Sequence, residues 1–112
     1  MNESELKKVF VYVWEYFVKA EKKSDFERIY GMNGDWTKLF SRDTGYLGTE
    51  LHQAISNNQR YLTLDYWISK NARDNFREKF AVEFEKLDKQ CESLTEKEIF
   101  LGDFESLVKN LQ

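Results

Sequence analysis

GYLGTELHQAI (45–55), SNNQ (56–59) and RYLTLDYWIS (60–69) decide the reading of this chain. Two runs rich in β-branched and aromatic residues flank a short polar segment, the pattern of a β-hairpin. The strands are expected over about Tyr46–Ala54 and Arg60–Ile68, with Ile55–Gln59 as the loop. The second run then passes straight into an amphipathic helix. From Ser69 onward Ala72, Phe76, Phe80, Phe84, Leu87 and Cys91 recur three or four residues apart, one apolar stripe along a single long helix.

Upstream, Lys8–Val18 (KVFVYVWEYFV) reads as a strand that is apolar on both faces and must be covered on both. Ser24–Glu27 has the form of a capping box, placing a helix start at Ser24, and Asp35 is positioned to cap a second short helix bearing Trp36, Leu39 and Phe40. Downstream, Leu94–Leu101 reads as a fourth strand. Phe104, Leu107, Val108 and Leu111 have the spacing of a short C-terminal helix. The order β-α-β-β-α-β predicts an α+β, ferredoxin-like fold: a four-stranded antiparallel sheet with its helices on one face. One domain over residues 1–112 is expected, with a flexible segment at 1–7 and a C-terminal extension at 103–112. The doubly apolar first strand predicts a homodimer in which two sheets face each other.

Composition narrows the partners. A net charge of −3 and mixed charges along the helices give no broad attraction to nucleic acid or to anionic membrane. One cysteine excludes an internal disulfide and multi-thiolate metal sites, and one histidine argues against His-rich metal sites. The apolar run Val9–Val18 contains Glu15 and is too short for a membrane span. A cytoplasmic protein without cofactor is the expectation. Proline is absent, although average usage of about 5 % predicts roughly five or six.

Alternation assigns faces to the hairpin. Leu62, Leu64, Tyr66 and Ile68 fall on one side of the third strand; Tyr61, Thr63, Asp65 and Trp67 fall on the other. Tyr46, Gly48, Glu50 and His52 share one side of the second strand. The apolar sides are expected against the helices, and the mixed sides in the dimer interior, a ring-lined space suited to a small aromatic ligand. Asp65, His52 and Glu50 are the candidate proton acceptors, since a buried carboxylate gains basicity by desolvation. Each can equally be an interface residue. Tyr12, Trp14 and Trp67 are the candidate ring contacts, with a place in the core as the plainer alternative.

The segment 26–40, the strand GYLGTEL, the strand ending in Trp67-Ile68-Ser69, and the helix carrying Phe76 and Phe80 resemble the antibiotic-biosynthesis-monooxygenase-like family of the dimeric α+β barrel superfamily. The resemblance spans roughly Val9 to Asp103. It implies a homodimer through the sheet faces and a pocket between sheet and helices or near the interface. It also implies cofactor-independent oxygenation of aromatic polyketides or quinols, or haem degradation. Haem degradation in this family uses an Asn on the first strand, a Trp near the end of the third and a His on the following helix. Only Trp67 matches; the helix offers Phe76 and Arg77 instead.

Two classes of function follow. One is a metal- and flavin-free monooxygenase-like enzyme acting on an aromatic or quinol-type molecule. The other is a non-catalytic binding or stress-related module on the same fold, with an isomerase or lyase as a further variant. The enzyme reading requires a closed pocket above about 300 Å³ that contains a carboxylate or histidine.

Overall fold

A computed structural model describes residues 8–107. Four strands form one antiparallel sheet: β1 (Val9–Val18), β2 (Tyr46–Gln53), β3 (Arg60–Trp67) and β4 (Thr95–Ser106), in the order β2-β3-β1-β4. Four helices cover one face: α1 (Lys23–Tyr30), α2 (Asp35–Phe40), α3 (Lys70–Lys79) and α4 (Ala81–Cys91). This is the expected ferredoxin-like arrangement. Among the described residues, no helix is long and apolar enough to cross a membrane.

The core is made of rings, and they are supplied by alternate positions of the two central strands. Phe10, Tyr12, Tyr16 and Val18 of β1 are buried beside Tyr61 and Trp67 of β3. Phe26 of α1 packs on Tyr16 and Tyr61, with centroids 5.2 and 4.9 Å away, and Phe40 of α2 packs on Trp67 at 5.7 Å. Phe76 of α3 closes the other side of Trp67 at 5.1 Å. These centroid distances are those of favourable aromatic pairs, which adds to the gain from area burial.

The face assignment is the main correction. Tyr61, Thr63, Asp65 and Trp67 meet the helices, whereas Leu62, Leu64 and Tyr66 line the opposite face and Ile68 is exposed. Tyr61 and Trp67 are far larger than the leucines and fill the thick layer beneath the helices. In β2, residue pairing puts Thr49 beside Asp65 and Leu51 beside Thr63, so Glu50 and His52 sit on the other side. An irregularity at Leu47 shifts the register and leaves Tyr46 on the helix side with Thr49.

Element ends differ in detail as well. α1 starts at Lys23 behind a 3-10 turn (Ala20–Lys22), and no side chain caps it. Glu27 bonds the Tyr61 hydroxyl instead of closing a capping box. At α2 Gly34 occupies the cap position and Asp35 is the first helical residue. A Cβ on Gly34 would stand 2.3 Å from the Ile29 carbonyl oxygen, so the turn between α1 and α2 has room only for glycine. Ser69 does cap α3, accepting from the Ala72 amide. The long stripe is divided between α3 and α4, which meet at Phe80 with φ −110° and ψ 30°. No proline or glycine marks that break, so periodicity alone runs through it. Phe104 lies in β4 rather than in a helix, paired with Val11; Val108 and Leu111 fall outside the described residues.

Phe26 is fully buried at the meeting point of α1, β1 and β3. Phe26→Ala is expected to lower unfolding free energy by about 3–5 kcal/mol, read as a lower denaturation midpoint with unchanged slope. A loss below about 1 kcal/mol would show that the ring layer is not a tight core.

Candidate functional site

A cavity of about 140 Å³ lies between the sheet and the helices and is partly open to solvent. Its sheet side carries Tyr12, Tyr16, Thr49, Thr63 and Asp65; its helix side carries Tyr30, Trp36, Phe40 and Phe84. Arg77, Asp88 and Glu98, each exposed at the residue level, complete the lining toward solvent. The volume is below the threshold set from sequence, while the required carboxylate is present. A depression beside Asp35, Arg42 and Glu83 is larger, at about 390 Å³, but more open to solvent and without ring lining.

Asp65 is placed by the pairing of β3 with both neighbours, opposite Tyr12 on β1 and Thr49 on β2. The Thr49 hydroxyl donates to Asp65 Oδ1 at 2.6 Å. With that hydrogen committed, the Tyr46 hydroxyl, 2.5 Å from Thr49 Oγ1, is the donor in the next bond. No further hydrogen bond reaches the Asp65 carboxylate among the described residues. Burial pushes the carboxyl up to about 7; the Thr49 bond and, more weakly, the Arg77 charge pull the other way. Asp65 therefore changes charge near neutrality.

Tyr12 is its counterpart. Burial, with the Asp65 charge second, holds the phenol well above its ordinary value, so the hydroxyl remains a donor. It has no hydrogen-bond partner among the described residues. Arg77 sits over the rings of Tyr12 and Phe84, 5.8 and 4.9 Å from their centroids. Among the described residues, no carboxylate lies within ion-pair distance of it. Arg73, one helical turn earlier, is buried over Phe10 and Tyr12 and bonds Asp103 at 3.4 Å, which ties α3 to β4.

Of the residues singled out from sequence, Asp65, Tyr12 and Trp14 line the cavity. Trp67 does not; it is fully buried among Phe40, Tyr46 and Phe76. Glu50 and His52 lie across the sheet from it, where Glu50 accepts from Tyr66 at 2.9 Å and approaches His52 to 3.5 Å. Thr49, Arg77 and Tyr16 were missed. For Arg77 a signal existed: Arg73 and Arg77 are four residues apart and flank the apolar stripe. Among the described residues, no group of three or more His, Cys, Asp or Glu is placed to hold a metal.

Comparison with known proteins gives structure rather than sequence relatives. No protein-family model matches the chain, and no curated protein matches it in sequence. A candidate antibiotic biosynthesis monooxygenase from Bordetella bronchiseptica superposes with a TM-score of 0.68 at 19% identity, covering 93% of this chain and 99% of that one. A cofactor-independent oxygenase from Streptomyces nogalater gives 0.64 at 17% identity, over 94% and 96%. A conserved protein from Methanosarcina mazei gives 0.68 at 14% identity, over 92% and 97%. The chain thus shares the α+β, ferredoxin-like fold of these structures.

The raised Asp65 carboxyl makes a stability prediction. The folded protein keeps this proton up to about pH 7, while the unfolded chain releases it near pH 4. Between those values the folded state binds more protons, so this group's contribution to stability falls as pH rises. Asp65→Asn is expected to be more stable than the parent at pH 8 by roughly 2–4 kcal/mol and nearly equal to it at pH 4. Equal stability of the two proteins at both pH values would show an ordinary carboxylate.

Proposed function

We propose that the cavity binds a small aromatic or quinol-type molecule and removes a proton from it, in cofactor-independent oxygenation. The observation that carries this reading is Asp65: a carboxylate inside a ring-lined cavity, with burial lifting it to about 7. A base acts best when its pKa lies near the working pH. The fold likeness to a cofactor-independent oxygenase favours the same chemistry.

In this scheme the ring enters among Trp14, Trp36 and Phe84 with its acidic O–H or C–H toward Asp65. Asp65 takes the proton. The Tyr12 hydroxyl donates to the oxygen on which charge develops, and the Arg77 guanidinium adds a fixed positive charge at the edge of the ring site. Donors fixed in a dry site stabilise such an anion without reorganising. The substrate anion then supplies electrons to molecular oxygen. For a ring methylene, one oxygen atom becomes the new carbonyl and the other leaves as water. The same base and donor serve proton transfer without oxygen, or binding alone. The small volume favours those alternatives over oxidation of a fused-ring polyketide.

The subunit is proposed to pair through the open sheet face, where Val11, Val13, Phe17, Leu62 and Leu64 would meet their counterparts in a second copy. A sheet apolar on both faces needs a cover on each. Sedimentation equilibrium at micromolar concentration is expected to give twice the chain mass of 13.5 kDa. A species of the chain mass alone would overturn the pairing.

Oxygen uptake over a panel of single-ring quinols and phenols tests catalysis. With an active substrate, kcat/KM is expected to rise with pH and level off above about 7, as the base ionises. Asp65→Asn should lower kcat by at least about 10²-fold, and Tyr12→Phe by about 10²-fold. Glu50→Gln and His52→Ala should leave turnover unchanged. Uptake indifferent to Asp65→Asn would remove the proposed base.

A further inference from the structure

The cavity is small, walled by rings and unevenly charged, and together these features narrow its ligand. A cavity of about 150 Å³ holds one benzene ring, and this one measures about 140 Å³. A fused-ring compound would not fit without moving the aromatic walls. At the inner end, a single hydroxyl on such a ring has both partners it needs: the Asp65 carboxylate as acceptor and the Tyr12 hydroxyl as donor.

The other end of the ring must leave through the charged opening. There Asp88 of α4 and Glu98 of β4 complete the lining with Arg77. The whole lining holds three carboxylates and one guanidinium, and protonating Asp65 still leaves it net negative. Burial raises both Asp88 and Glu98 above their ordinary range, and neighbouring carboxylates add to it, while the Thr95 hydrogen bond on Glu98 and the Arg77 charge on Asp88 pull the other way. Both therefore gain from a nearby cation. The ring faces favour the same sign, since they already carry the Arg77 guanidinium.

We infer that the site takes a one-ring phenol whose side chain ends in an ammonium group, with Asp88 and Glu98 as the residues that select the charge. The inference rests on the proposed reading of the cavity as a phenol site and adds the size and charge of the ligand. A carboxylate tail would meet repulsion from the same two residues. A bare phenol would lack the outer contact.

Three probes of equal ring size separate these effects: tyramine, 4-ethylphenol and 3-(4-hydroxyphenyl)propionate, titrated by calorimetry at neutral pH. Tyramine is expected to bind on the order of tenfold more tightly than 4-ethylphenol and the propionate more weakly than either, as for a unit charge near a partly exposed carboxylate. In the double variant Asp88→Asn, Glu98→Gln the three affinities should converge. Tyramine and the propionate binding equally well to the parent would overturn the charge selection but leave the phenol site standing. Persistence of the preference in the double variant would overturn the assignment to these residues. Absence of binding by all three would overturn the phenol site itself, and the inference with it.

Discussion

The pairing of Thr49 with Asp65 across β2 and β3 is the constraint on which the site depends. It decides that Asp65 faces the helices, because directly paired residues in an antiparallel ladder share a face. A slip of one residue would carry Asp65 to the Leu64 side and bring a leucine into the cavity. The same pairing supplies the hydroxyl that holds Asp65 Oδ1, and the irregularity at Leu47 delivers Tyr46 behind it. Position, orientation and polarity of the carboxylate thus come from one stretch of ladder.

Burial sets the chemistry of that carboxylate. Moving an ionised group away from water is costly unless it is paired and hydrogen-bonded. Asp65 has one hydroxyl donor and a guanidinium at a distance, so its proton affinity rises. Tyr12, beside it, is displaced upward by the same burial and stays neutral. A base near neutrality next to a permanently protonated donor is an arrangement that suits proton abstraction. The ring walls make it possible, since they exclude water from both groups.

Much of the fold was readable from the sequence, and the site only in part. Element order followed from the β-branched and aromatic runs of β1 and β3 and from the Ala72–Cys91 stripe, although the stripe ran through the break at Phe80 that divides α3 from α4. The faces were misassigned because alternation separates two sets of residues without saying which set meets the helices. The sheet settled this by volume, burying Tyr61 and Trp67 in the thick layer and leaving Leu62 and Leu64 outside. Glu50 and His52 were grouped with Asp65 because register and bulge are tertiary properties, set by pairing rather than by composition. Asp65 and Tyr12 were identifiable as polar or ring-bearing positions on central strands. The role of the Tyr12 hydroxyl was not, since it depends on the strand opposite.

A carbon-13 NMR titration of the labelled aspartate carboxyls, with Asp65 assigned from Asp65→Asn, tests the central claim most directly. The Asp65 signal is expected to titrate with a midpoint near 7, moving higher in Thr49→Val, where the stabilising hydroxyl is gone. A midpoint near 4, the value of an ordinary solvated aspartate, would contradict the account.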